Sequence, residues 1–312
     1  QNHEWSGMVV TAQSYYRQAE KLAPGRKDVL EALGRVEEAA AWRASLTCVD
    51  AADFDGYVQG RYREYRLRLE PRFDDRLRPS GGASWSGNRR GTLGRNYLLC
   101  RAGLSFRPIS WLELAGQVQG DAFTFAFKAA SGRWEAERGR LTWWGDFGRV
   151  LYEPAQDIGA LTGSTQLALR PGAGFRLSGR AGCVQIIDDG NRKTSLVASA
   201  GYDILTRPRL GVQYTLSYDD FRVRSSRYYS PQNLVTHQVG VTLSARRGGT
   251  GLSADAAGGV NTVGELVARA NAALDQRILP RTSLALEFDY AQTMVRGRYL
   301  YASVAVGLSR SL

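Results

Sequence analysis

A period-2 alternation of apolar and polar residues, repeated along most of the chain, constrains the fold more than any other feature. It is clearest near the C-terminus. Leu284, Leu286, Phe288 and Tyr290 alternate with Ala285, Glu287 and Asp289, and Leu300, Ala302, Val304, Val306 and Leu308 occupy the even positions of the next run. This period puts each set on one face of a β-strand. A turn at Pro280 and a polar connection at 296–298 make the two runs an antiparallel hairpin. The same scheme recurs in 98–106, 111–119, 195–204, 210–218, 235–245 and 266–274.

The breaks between runs are equally regular. Arg107-Pro108, Arg170-Pro171, Arg207-Pro208 and Leu279-Pro280 each separate two runs, and Arg247-Gly248-Gly249 holds an equivalent place. Proline ends strand pairing and presets a turn, so these breaks mark one end of the strands. The interval from Pro108 to Pro171 is about twice the next, which implies a further turn in 139–148, and another is expected in 71–79. The turns imply about sixteen strands, with about fourteen or eighteen as alternatives because 74–94 and 129–157 alternate weakly. Connections at the opposite end, such as 219–233, read as longer polar loops.

One run changes parity. In 56–70, GYVQGRYREYRLRLE, Val58, Gly60 and Tyr62 share a face before Tyr65, Leu67 and Leu69 take it over. A β-bulge near Glu64 would explain the slip and would put Arg61, Arg63, Arg66 and Arg68 together on the polar face.

A soluble sandwich and a membrane barrel both alternate, so other features decide. No run of about 18 apolar residues occurs, which excludes a spanning helix and leaves a spanning barrel open. Trp111, Trp143, Trp144, Tyr218, Tyr290, Tyr299 and Tyr301 sit near strand ends, as interfacial girdles do. A sheet filling most of the chain without a second domain suits a closed barrel, which leaves no edge to protect. The expected fold is therefore an all-β transmembrane antiparallel barrel over 46–312.

The formal net charge of +11 is carried almost wholly by arginine, with lysine only at 21, 27, 128 and 193. These arginines are strewn along the strands instead of concentrated on one element, which argues against a nucleic-acid partner. Cys48, Cys100 and Cys183 lack the spacing of a disulfide framework or a zinc site and read as small apolar fillers. No cofactor is implied. His3 and His237 are the only histidines, and His237 shares the apolar parity of Val235 and Val239. A nucleophile such as Ser244 would need a base placed beside it, and nothing in the sequence supplies one, so an enzyme is not expected.

Residues 5–44 have a different, helical pattern. Ala12, Tyr16, Ala19 and Pro24 fall at the spacings of the second helix of a tetratricopeptide repeat and its closing proline, and Leu30, Leu33 and Gly34 fit the first helix of the next. Residues 1–45 therefore read as the C-terminal end of a repeat region. Such arrays need about three repeats, and the chain starts at Gln1 and not Met, so more repeats are expected upstream.

A repeat segment running into such a barrel resembles the exopolysaccharide-export outer-membrane porins, the group that includes the outer-membrane component of cellulose synthase and the exporters of poly-N-acetylglucosamine and Pel. The sharpest local match is Tyr228-Tyr229-Ser230-Pro231-Gln232, continued by Asn233, which is similar to the YFSPQ stretch of the cellulose-exporting barrel. The resemblance implies a passive conduit in the bacterial outer membrane, carrying a polysaccharide chain through a lipid-embedded barrel. Its periplasmic repeats would align it with inner-membrane synthase components.

The arginines expected in the lumen are Arg61, Arg63, Arg66, Arg68, Arg101, Arg176, Arg180 and Arg269. A ring of arginines favours anions, whereas pairing with Glu113, Asp203, Asp275, Glu287 and Asp289 would instead stiffen the wall. Tyr228 to Gln232 could fold over the outer mouth as a gate or sugar guide, or its tyrosines could anchor at headgroups. Alternatives to export are a general or anion-selective diffusion porin and a surface receptor or adhesin barrel.

Overall fold

The computed structural model describes residues 9–22, 24–55, 59–72, 75–109, 111–122, 127–153, 156, 158–172, 174–228, 230–295 and 297–311. His3, Val58, Tyr229 and Arg296 lie outside these residues.

Sixteen antiparallel strands form one closed barrel in simple sequence order. They are β1 (Arg43–Asp55), β2 (Gln59–Glu70), β3 (Leu77–Arg90), β4 (Leu93–Ile109), β5 (Leu112–Asp121), β6 (Phe127–Arg138), β7 (Leu141–Glu153) and β8 (Ile158–Gly172). The second half comprises β9 (Phe175–Ile186), β10 (Arg192–Thr206), β11 (Arg209–Phe221), β12 (Leu234–Arg247), β13 (Thr250–Asn261), β14 (Leu266–Leu279), β15 (Thr282–Val295) and β16 (Gly297–Ser311). β16 closes on β1 from Arg43 opposite Ser311 to Asp55 opposite Tyr299, so neither strand leaves an unpaired edge.

Directly opposed residues share a face, so the registers carry one parity around the circle. Leu46 faces Leu67 and Leu308, Leu286 faces Leu274 and Val306, and Tyr214 faces Val239 and Ala200. This outer face bears the exposed large apolar residues, among them Leu104, Phe147, Leu196, Val241 and Val304. The other face is polar: Thr215, Gln238, Asn271 and Asp289 belong to it. An apolar exterior around a polar interior is what a barrel in lipid requires. Cys48, Cys100 and Cys183 all have outer-face parity, where small apolar residues fit.

Pro208 and Pro280 stand in turns as expected, whereas Pro108 and Pro171 lie near the ends of β4 and β8, where the register shifts at Phe106/Ile109 and Leu169/Gly172. Gly139 and Gly248 adopt φ of 62° and 58°, the left-handed region that a tight hairpin needs and glycine allows without strain. At the other end most connections are short too: Gly91 and Thr92 alone separate β3 from β4. The stretch 222–233 is the long connection, so the expected contrast of short turns and long loops rests on that one segment.

The expected bulge in β2 is absent. Its register runs unbroken against both β1 and β3, so strict alternation holds from Gln59 to Glu70. Arg63 lies opposite Asp50 and Gly87, on the face of Leu67, while Arg66 lies opposite Thr47 and Ser84. The four arginines are therefore split two and two. The apparent slip arose because Tyr62 is an inward aromatic and Tyr65 an outward one, so side-chain type misreported the face.

The helical segment is one pair, α1 (Val9–Leu22) and α2 (Lys27–Ala40). Gly25, at φ 81°, turns the chain between them. Ala12 packs against Val36, Ala40 and Tyr16, and Arg17 bridges to Glu37 at 3.1 Å. Among the described residues these two short helices do not make a tetratricopeptide array.

Candidate translocation pathway

The inner wall is built of charge networks set by alternation. On β2, Tyr62, Glu64, Arg66 and Arg68 all face inward. The Glu64 side chain is only 3% exposed and accepts from Arg66 at 2.6 Å, from Arg101 at 2.9 Å and from the Tyr62 hydroxyl at 2.5 Å. Arg68 pairs with Glu70 at 2.6 Å. A carboxylate so enclosed stays ionised only with such partners, and two guanidiniums with a phenol supply them.

A second network closes the turn end of β9–β12. Asp203 is 7% exposed and sits between Arg176 at 3.0 Å and Arg209 at 2.9 Å, while Arg176 also donates to the Thr242 hydroxyl at 3.2 Å. Glu113 holds Arg107 at 2.8 Å. Arg43, Arg68, Arg78, Glu113, Arg133 and Glu135 line a cavity of about 500 Å³ at the turn end of β1–β6.

The remaining predicted lumen residues face inward but are less engaged. Arg180 donates to the Ser164 hydroxyl at 3.1 Å, itself bonded to Asp146. Asp289 accepts from Asn271 at 2.6 Å and from Ser303 at 3.1 Å. Arg269 lines a small cavity with Gln213, Thr215 and Asp255, and Glu287 is exposed on the inner face opposite Ala273 and Ala305. The pathway thus alternates neutralised clusters with exposed charges of both signs.

Arg61 and Arg63 are the exceptions. Both lie on the outer face, bonded to Asp50 at 3.1 Å and 3.0 Å, and do not line the pore. Among the expected girdle residues, Trp143, Tyr218 and Tyr290 face outward, whereas Trp144 and Tyr301 have inward parity.

The mouth at the long connection is shaped by Tyr228. Its ring is 5% exposed in a cluster with Ile158, Ala160, Ile186 and Phe221. Ala160, Ile186 and Phe221 are inward residues of β8, β9 and β11, so the connection bends over the rim to the inside. Rings of Tyr152 and Phe221 stand 5.6 Å and 5.8 Å from it. Its hydroxyl donates to Asp189 at 2.7 Å and accepts from Asn191 at 3.0 Å. Asn191 also binds both the carbonyl and the amide of Val223. Burial first, then the Asp189 bond, raises the Tyr228 hydroxyl above the ordinary tyrosine pKa. This is not a headgroup anchor.

The rest of the motif folds the segment. The Ser230 hydroxyl accepts from the Ser225 amide at 2.6 Å, Pro231 offers its carbonyl to Phe221 at 2.9 Å, and Gln232 donates to the Arg222 carbonyl at 3.2 Å. Sequence reasoning singled out the motif but missed its receptors Asp189, Asn191, Tyr152 and Ile158, which lie far off in sequence. It also missed Glu64, which strict alternation with Tyr62, Arg66 and Arg68 would have exposed.

No protein-family model matches the sequence, and no curated protein matches it. Among solved structures, a bacterial polysaccharide outer membrane secretin superposes with a TM-score of 0.67 at 11% identity, over 86% of this chain and 98% of that one. The CymD monoaromatic hydrocarbon channel gives 0.46 at 9% identity, covering 90% of each chain. OccK5 (OpdH) of Pseudomonas aeruginosa gives 0.49 at 8% identity, over 87% and 98%. Identity this low speaks for architecture alone. The chain has a closed barrel fold like that of the bacterial polysaccharide outer membrane secretin.

Proposed function

We propose that this barrel sits in a bacterial outer membrane and exports an exopolysaccharide from periplasm to cell surface. The observation that carries the reading is the inner wall: its arginines are largely tied to carboxylates, and its apolar inward residues Ala160, Ile186 and Phe221 gather under the inward-folded segment at one mouth. A polymer moving through a channel must be wetted at every step and held at none, because entry needs attraction and exit needs weak, repeated sites. Clusters such as Arg66–Glu64–Arg101 give hydrogen bonding without a deep charge well. Arg180, Arg269 and Glu287 remain for transient contact.

In this reading the helices up to Ala40 form a periplasmic unit, and the barrel begins with β1 at Arg43. The helix pair aligns the barrel with synthase components of the periplasm and inner membrane. The turn end then faces the periplasm and the 222–233 end the outside. Deleting the gene should abolish surface polysaccharide while the synthase still makes polymer. Unchanged surface polysaccharide would overturn the reading.

A diffusion porin is the second reading, favoured by the exposed Arg180 and Arg269. Conductance separates the two, since a diffusion porin supports free flux of small solutes whether or not a synthase is present.

A further inference from the structure

The outer wall of a lipid-embedded barrel excludes charge for an energetic reason. An arginine facing lipid costs about 2–4 kcal/mol at the midplane and about 0–1 kcal/mol near the interface. Yet three arginines gather on the outer face of β2 and β3. Arg61 lies directly opposite Arg89, Arg63 is two residues along the same face, and Asn96 of β4 joins through its pairing with Gly87. Arg61 is 57% and Arg63 47% exposed on their side chains, and Arg89 and Asn96 are exposed as well. Asp50 bridges Arg61 and Arg63 and fixes their guanidiniums side by side. Three positive charges against one negative leave the patch cationic.

Its height on the wall follows from the ladder. The next outward residues toward the turn end are Tyr65 and Trp85, directly opposed with ring centroids 5.7 Å apart. Below them come Leu67 and Leu69. Belt, aromatic pair and arginines thus follow the order of hydrocarbon, interface and headgroup. From Asn96 the outward residues of β4 run through Leu98 and Cys100 to Ala102, which borders an open, mostly apolar groove of about 990 Å³ walled by Leu104, Val118, Phe147 and Leu161, with Arg149 also in its lining. The six residues from Asn96 to Ala102 span roughly 20 Å, within reach of a lipid tail whose head sits on the arginines.

We propose that Arg61, Arg63 and Arg89 form a binding site for a phosphorylated glycolipid headgroup of the outer leaflet, with its acyl chains lying in the groove bordered by Ala102. Guanidiniums suit phosphate because their paired N–H donors match two phosphate oxygens, and Asn96 adds a donor for a sugar hydroxyl. The site rests on the reading that the 222–233 end faces outward.

Native mass spectrometry of the full chain in detergent tests this. The chain would be mixed separately with bisphosphorylated lipid A, phosphatidylglycerol and inorganic phosphate. Retention of lipid A at least tenfold above phosphatidylglycerol, reduced at least tenfold in the Arg61→Gln/Arg63→Gln/Arg89→Gln variant and unaffected by millimolar phosphate, is expected. Equal retention by the variant, preference for phosphatidylglycerol, or displacement by phosphate would overturn the site. Heat-modifiable mobility on gels checks that the variant is folded. Should it not fold, Arg89→Gln alone carries the test, with a loss of at least threefold expected and no loss overturning the proposal. Orientation is read separately from an epitope inserted after Val263 and detected on intact cells. Failure of the unaltered chain to retain lipid A, with a surface-exposed epitope, would refute the site while leaving the export reading intact.

Discussion

At the residue scale, two inward side chains hold more than their own strand. Removing the enclosed Glu64 carboxylate leaves Arg66, whose side chain is 40% exposed, and Arg101, 22% exposed, without their shared partner. Breaking a fully buried pair costs about 3–5 kcal/mol, and the exposure of Arg66 to solvent screens the charge left behind and lowers that figure. Glu64→Ala should therefore lower the free energy of unfolding, read from the urea midpoint and slope, by about 1–3 kcal/mol, whereas Arg68→Ala should change it little, since Arg68 is 55% exposed. Tyr228 is the other. Tyr228→Ala removes an aromatic side chain from a packed cluster, a change of about 3–5 kcal/mol for such groups. Trypsin should then cleave at Arg224 and Arg227 at least about tenfold faster, as expected when a local segment loses its anchoring contacts. Tyr228→Phe keeps the ring and should fall between.

The tyrosine also sets a pH window. Its pKa is raised, so its contribution to anchoring is fully present below the ordinary tyrosine value of about 10 and is lost as pH climbs through the higher folded-state value. A spin label at Arg227→Cys should stay immobile through neutral pH and loosen only in strong alkali. Loosening near pH 7 would contradict the hydrogen-bonded arrangement.

At the scale of elements, alternation was a faithful guide wherever one face was uniformly apolar. β4, β5, β10–β12 and β14–β16 were readable for that reason, and so were the turns at Pro208, Pro280 and Gly248. β2 misled because tyrosine occurs on both faces and arginine serves both lumen and headgroup level. A parity count from Glu64, ignoring side-chain type, would have kept the register. The networks were less legible, since Asp203 meets Arg176 and Arg209 only across neighbouring strands, and Tyr228 meets Asp189 and Ile158 only after the mouth folds. Close approach between strands gives a further test. A Cβ at Gly259 would run into the His237 carbonyl oxygen. Gly259→Ala must push β12 and β13 apart, and overpacking of this kind costs about 1–3 kcal/mol, measurable as a lower urea midpoint.

At the scale of the molecule, the division of arginines between faces makes selectivity a test of the whole arrangement. Reversal potentials in planar bilayers should move toward cations when Arg180 and Arg269 become Gln, because these inner charges lack a close carboxylate among the described residues. The same change at Arg61 and Arg63 should leave the potential where it was. A shift on altering the outer pair would mean that the barrel's faces have been assigned the wrong way round.

The pairing of β1 with β16 also dictates an order of events in biogenesis. The contact that closes the wall joins the strands farthest apart in sequence, so the loop to be closed is the largest the barrel contains and its entropic penalty the greatest. The cylinder cannot seal before its last strand has been synthesised. Any product ending before β16 would present two open hydrogen-bonding rims, Arg43 to Asp55 on one side and β15 on the other, and would be prone to pair with a second truncated copy.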